Sequence, residues 1–157
     1  MPQDIAGCAF KHVVVRGNVS GSIKFLPSMP WLLNWRVRPP ASEDPFAVAN
    51  AAYYRDIDWA LDISQARFTS IEMTYAGIPA GLIRRDPETQ VVMTRQLAKS
   101  GAWIDPLSDS YWRFGIDQFL KSGFDDFVLV ACKRSKDFEE QVDWMRRLRA
   151  AAAVVAD

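Results

Sequence analysis

Four stretches of the chain alternate apolar and polar side chains, and no other feature constrains the fold as strongly. Trp31, Leu33, Trp35 and Val37 fall on one side of an extended segment, with Asn34, Arg36 and Arg38 on the other. Ile57, Trp59, Leu61 and Ile63 oppose Asp56, Asp58 and Asp62, and Ile71, Met73 and Tyr75 oppose Ser70, Glu72 and Thr74. Val91, Met93 and Leu97 make a fourth such face, interrupted by Arg95. Successive side chains of a strand point to opposite faces, so a period of two predicts half-buried antiparallel strands. The fold class this implies is α+β, with a curved, mainly antiparallel sheet of about eight strands and one tryptophan-rich apolar face.

At 157 residues the chain is expected to form a single domain over 1–157, able to bury roughly 70% of its unfolded surface without help from disulfide or metal. An apolar content of 49% argues against global disorder. Lysine plus arginine and aspartate plus glutamate both number 19. That balance argues against a nucleic-acid partner, because phosphate neutralisation calls for a basic surplus. No apolar run approaches the ~18 residues of a membrane span, and Met1 to Phe10 do not have the charged start and apolar run of a signal peptide. Cys8 and Cys132 lie far apart with no C-x-x-C spacing. They read as two thiols in a reducing compartment, hence a cytoplasmic protein, with a single disulfide as the alternative.

Along the chain, Phe10 to Arg16 and Ile23 to Leu26 read as a hairpin turned by the glycines and polar residues between them. Trp31 to Arg38 is a third strand, stopped by Pro39-Pro40. Asp44-Pro45 begins a short helix through Tyr53, and a strand follows from Asp56 to Ile63. Phe68 to Ala76, Ala80 to Arg85 and Gln90 to Leu97 read as a meander, its last turn set by Asp86-Pro87-Glu88-Thr89. Residues 86–97 also admit a helix capped by Asp86, although Val91, Val92 and Thr94 favour strand. A second helix spans Asp109 to Lys121 with Trp112, Ile116, Phe119 and Leu120 as its stripe, ended by Gly123. Phe127 to Cys132 is a last strand. A helix from Lys136 to Val155 carries Phe138, Val142, Met145, Leu148, Ala152 and Val155 on one face, with Asp137 and Glu140 at capping-box spacing. This long helix is expected to lie across the apolar face of the sheet. No internal repeat of fixed period is visible.

Residues able to carry chemistry are few. His12 is the sole histidine and a general base in principle, but one histidine and two scattered cysteines do not supply the roughly three protein ligands of a zinc site. Asp56, Asp58, Asp62 and Glu72 form a candidate carboxylate cluster for a divalent cation or an acid–base pair, against the plain reading of a solvated strand face. Arg36, Arg38, Arg84, Arg85 and Arg95 can gather into an anion patch or pair with those carboxylates. Trp35, Trp59, Trp103, Trp112 and Trp144 are candidate binding residues, although aromatics at strand and helix spacing also build plain core. Gly-rich phosphate loops and the G-x-S-x-G nucleophile motif are absent from the sequence, and no cofactor or metal is predicted.

Three readings follow. In the first, the chain is a non-catalytic protein-binding domain, accessory, inhibitory or for assembly, with Trp103, Ile104, Trp144 and the arginines of the last helix as its face. In the second, it binds a small apolar ligand in an aromatic pocket between sheet and helix, lined by Trp35, Trp59, Met73 and Trp112. In the third, it is a carboxylate-dependent enzyme.

Overall fold

The structure is a computed structural model and describes residues 3–26, 45–73 and 76–156. Its first six strands alternate between two sheets. β1 (Gln3–Ala6), β3 (Gly17–Leu26) and β5 (Ala66–Glu72) pair in that order, all parallel. β2 (Val13–Val14), β4 (Leu61–Asp62) and β6 (Ile83–Arg84) form a second parallel sheet. Consecutive strands therefore never pair with each other. Each coil of chain lays one strand on each sheet, and the next coil stacks on it. Parallel neighbours need a long return connection, and here the strand of the other sheet is part of that return. Ile23 and Phe25 of β3, Leu61 of β4, Phe68 of β5 and Ile83 of β6 share one buried cluster.

Helix α1 (Pro45–Tyr54) interrupts the coils between β3 and β4. It is tied back at two points. The Tyr54 hydroxyl accepts from the Phe10 amide at 3.0 Å, and Asn50 Nδ2 donates to the Gly77 carbonyl at 2.6 Å. Gly77 has φ +65°, and a Cβ there would sit 3.3 Å from the Phe124 ring. Both backbone and space therefore call for glycine.

After β6 the architecture changes. β7 (Gln90–Thr94) and β8 (Asp126–Val130) pair antiparallel, with Val92 opposite Val128. Val92, Val128 and Val130 belong to the core of the coils. Val91, Met93, Phe127 and Leu129 belong to a second core built with three helices. These are α2 (Arg95–Ser100), α3 (Trp112–Lys121) and α4 (Phe138–Ala150). Their buried residues recur at helical spacing: Trp112, Ile116 and Phe119 on α3, and Gln141, Trp144, Met145 and Leu148 on α4. Truncating a fully buried residue such as Leu148 to alanine is worth about 2–5 kcal/mol.

The expected curved, mainly antiparallel sheet of eight strands is not what forms. The described strands make two small parallel sheets, and only β7 and β8 pair antiparallel among them. The reason is physical. Alternation reports that one face of a strand is buried and is silent on the direction of its neighbours, so coil strands with core on one side alternate as hairpin strands do. The hairpin expected across residues 17–21 is instead one strand, β3, in which Gly17 and Gly21 take φ of 76° and 87°. Its register with β5 shifts between Val19 and Ser22, so the glycines serve an irregularity within the strand rather than a turn.

The strand expected from Asp56 pairs only at Leu61–Asp62, although Ile57, Leu61 and Ile63 are buried. The expected strand at 80–85 opens as a 3-10 turn over Ala80–Leu82. Over residues 86–97 the strand reading holds to Thr94 and the helix capped by Asp86 does not form; α2 starts only at Arg95, its first turn capped by the Thr94 hydroxyl accepting from the Leu97 amide. α4 stops at Ala150, and the Asp137 carboxylate makes no capping bond. This helix packs with α3 and the β7–β8 ladder, not across a broad sheet. Strand β1 has no counterpart in the sequence-based expectation, and the expected strand at 31–38 lies outside the described residues.

Arg95, which breaks the alternation of its stretch, has a structural task. Its guanidinium donates to the carbonyls of Leu120 at 3.1 Å, Ser122 at 2.8 Å and Phe124 at 2.7 Å. It also lies over the Phe119 ring. Leu120 is among the carbonyls that the end of α3 leaves without helical partners, and Ser122 and Phe124 follow in the turn beyond it. Arg95, with Ser122 Oγ donating to the Phe119 carbonyl at 2.7 Å, stops the helix in place of the left-handed Gly123 that the sequence suggests. Arg95→Met is expected to lower stability by about 2–3 kcal/mol, since it orphans several carbonyls at once. Arg95→Lys restores only part of this, lacking the planar fork. Urea unfolding of the three proteins checks it.

The 86–89 turn carries a pH dependence. Burial pushes the Asp86 carboxyl up, but Lys133 Nζ at 2.7 Å, the Thr89 hydroxyl and the Glu88 amide outweigh it and hold it below its ordinary value of 3.8. A lowered carboxylate contributes stability that is full above the unfolded value and is lost as pH falls through the folded one. Lys133→Met is therefore expected to reduce stability near neutrality and to flatten its decline below about pH 4. Thermal melts across that range measure both effects.

Candidate functional site

A groove of about 550 Å³ opens where the coils meet the helical unit. β5 and the residue after it supply one wall, from Thr69 to Met73. β8 supplies Val128, Leu129 and Val130, and the start of α3 supplies Tyr111, Trp112, Phe114 and Gly115. The approach to α4 adds Cys132, Ser135, Asp137 and Gln141, and Lys24 comes from β3. The volume lies within the roughly 300–1,000 Å³ typical of ligand sites.

A buried amide organises the polar wall. Gln141 is 2% exposed. Its Oε1 accepts from the Cys132 amide at 2.6 Å, and its Nε2 donates to the Tyr111 hydroxyl at 2.7 Å. Tyr111 thereby spends a lone pair on Gln141 and keeps its own proton for another acceptor. Burial pushes this phenol above its ordinary value, and unfavourable electrostatic interactions with Cys132, Asp137 and Glu140 add to the rise, while the Gln141 bond opposes it. Tyr111 as a whole is 57% exposed and Phe114 beside it 69%. Below them Trp112 stacks edge-on against Trp144 at 5.3 Å.

Cys132 is no nucleophile here. Burial pushes its thiol up to about 11, and the thiolate is the reactive form. At the far end of the wall Lys24 Nζ meets Glu72 Oε2 at 3.4 Å. The site is thus equipped to hold a molecule by apolar contact and a few directed hydrogen bonds.

The residues singled out from the sequence are dispersed. Trp112 lines the groove. Trp103 is buried, its indole donating to the Ala98 carbonyl at 2.7 Å. Trp144 is buried in the helical core, and its indole N–H has no partner among the described residues. Trp59 lies outside the groove, in a stack that crosses three coils: His12 on Trp59 at 4.8 Å, and the Arg84 guanidinium over the same ring at 4.1 Å. Trp35 lies outside the described residues, as do Arg36 and Arg38.

The carboxylates have separate tasks. Asp56 is exposed. Asp58 accepts from His12 Nε2 at 2.7 Å, a bond that holds its carboxyl low. Asp62 accepts from the Ser64 amide and hydroxyl, and Glu72 faces Lys24. Among the described residues no three His, Cys, Asp or Glu side chains gather as metal ligands, and no helix is long and apolar enough to cross a membrane.

Tyr111, Phe114 and Gln141 escaped the sequence reading, yet two of them left a signal. Phe114 is apolar but falls off the stripe of α3. Gln141 is polar but falls on the buried face of α4, in step with Trp144, Met145 and Leu148. No family model matches the chain, and no curated protein and no solved structure matches it.

The Tyr111 environment is directly measurable. Gln141→Leu removes the opposing bond and is expected to raise the Tyr111 pKa further, whereas Asp137→Asn removes a negative neighbour and is expected to lower it. Ultraviolet phenolate titration, differenced against Tyr111→Phe, reads both shifts.

Proposed function

We propose that this protein is a non-catalytic binding module that docks another protein in the groove between β5, β8 and the start of α3. The observation that carries this reading is the pair of exposed aromatics, Phe114 and Tyr111, standing at the mouth of a recess with an apolar floor. Large aromatics that project beside a recess are the anchors from which protein interfaces draw most of their energy. The neutral overall charge suits a partner held by contact and hydrogen bonds rather than by a field. Cys8 and Cys132 form no disulfide, which suits a reducing compartment and a cytoplasmic protein.

A second reading, a small apolar ligand in the same recess, is favoured by its volume alone. The two separate in one experiment. A photo-reactive phenylalanine analogue placed at position 114 in the full chain, in its own cells, is expected to cross-link one protein at fixed stoichiometry. The same group at Val48, exposed on α1, is expected not to. Absence of any product specific to position 114 would overturn the docking reading. A small adduct in native mass spectrometry, lost on denaturation, would establish the ligand instead.

A further inference from the structure

We infer that the occupant of the groove is an extended segment of the partner polypeptide, pairing main chain to main chain with the outer edge of β5; this rests on the docking function proposed above. The groove follows strand edges rather than strand faces. Thr69, Ser70, Ile71, Glu72 and Met73 all line it in unbroken succession, although neighbours in a strand point to opposite faces. The same holds for β8. Val128 belongs to the core of the coils and Leu129 to the helical core, yet both line the groove. Only an edge shows both parities.

Each strand is also the last of its sheet. β5 ends the order β1–β3–β5, and β8 has β7 on one side only. Among the described residues, a single main-chain bond from outside the sheet reaches residues 68–72, from the Arg134 amide to the Phe68 carbonyl at 3.0 Å. The edge is met at that end, and its Ile71 amide faces the Cys132 thiol; no other main-chain bond from outside the sheet reaches it among the described residues. An open edge offers a row of N–H and C=O groups that an added strand satisfies.

The walls define the chemistry of that strand. Phe114 and Tyr111 favour apolar side chains at alternate positions, and the unspent Tyr111 proton suits a peptide carbonyl. Lys24 and Glu72 satisfy each other. Asp137 and Glu140, close enough to raise the Tyr111 phenol, have no ion-pair partner among the described residues. The segment is therefore apolar, with a lysine or arginine at the Asp137 end.

The test uses phage-displayed linear decapeptides selected on the full chain. Enriched sequences are expected to alternate apolar residues beside one basic position, and to lose binding to Phe114→Glu. Phe114→Ser serves as a second variant, and circular dichroism checks that both are folded. Synthetic versions N-methylated at single amides are expected to weaken about tenfold or more at alternate positions and to stay within about twofold at those between. Equal sensitivity at all positions, with binding still lost in Phe114→Glu, overturns strand pairing and leaves the docking reading intact. Peptides that bind Phe114→Glu unchanged, or no enriched linear peptide at all, also overturn it, and cross-linking at position 114 decides the docking reading independently.

Discussion

Both faces of the β7–β8 ladder are covered, and the rest of the structure is arranged around that constraint. Val92, Val128 and Val130 present one parity to the coils, and Val91, Met93, Phe127 and Leu129 present the other to the helices. A ladder buried on both sides has no solvent to satisfy stray polar groups, so the side chains that enter from its ends must arrive fully bonded. Gln90 does so at one end. Its Nε2 donates to the Ile63 carbonyl at 3.0 Å and its Oε1 accepts from the Asp86 amide at 3.2 Å, which joins the coils to the turn before β7. Gln141 does so at the same end, where Val130 pairs with Gln90, through the Cys132 amide that follows β8. Two buried glutamines thus lock together two cores that apolar contact alone would leave free to slide, because hydrophobic burial is non-directional and hydrogen bonds are not.

What the sequence discloses of this arrangement is burial rather than topology. Ile57, Leu61 and Ile63 alternate with Asp56, Asp58 and Asp62, and the structure buries the first set as that pattern requires. The same alternation says nothing about whether the next strand runs with or against it. The coil register pairs residue 3 with 23, 13 with 61 and 61 with 83. Those spacings are unequal because α1 and its neighbourhood interrupt the coils, so no fixed period betrays them. Helices fare better, since a stripe such as Trp112, Ile116 and Phe119 needs only local information. Their ends do not. α3 stops because Arg95, a residue remote in sequence, reaches its last carbonyls.

The groove exists because the coils and the ladder meet at an angle of sequence logic, not through a shared sheet. β5 finishes a parallel stack, β8 finishes an antiparallel pair, and the segment after β8 meets β5 where the Arg134 amide donates to the Phe68 carbonyl and the Cys132 thiol faces the Ile71 amide. Beyond those contacts the two edges face a common space that side chains, rather than main chain, enclose. Such edges are a hazard in a protein with nothing to place there, and proteins usually blunt them with proline, lysine or a covering loop.

The two positions that violate local patterning sharpen this point. Phe114 exposes an apolar ring on the polar side of α3, and Gln141 buries an amide on the apolar side of α4. Each costs stability in isolation: the first presents apolar surface to water, the second desolvates a polar group that must then be matched. Both lie on the same groove, and Gln141 spends its amide on orienting Tyr111, the second exposed aromatic there. The two departures from local consistency thus meet in one place, while the surrounding core obeys its pattern. The six tryptophans are by contrast mostly consistent with their elements where the structure describes them. Trp103, Trp112 and Trp144 fill the helical core, and Trp59 braces three coils between His12 and Arg84. In this chain the residues that stand out by type mostly build the fold, and those that stand out by position mark the groove.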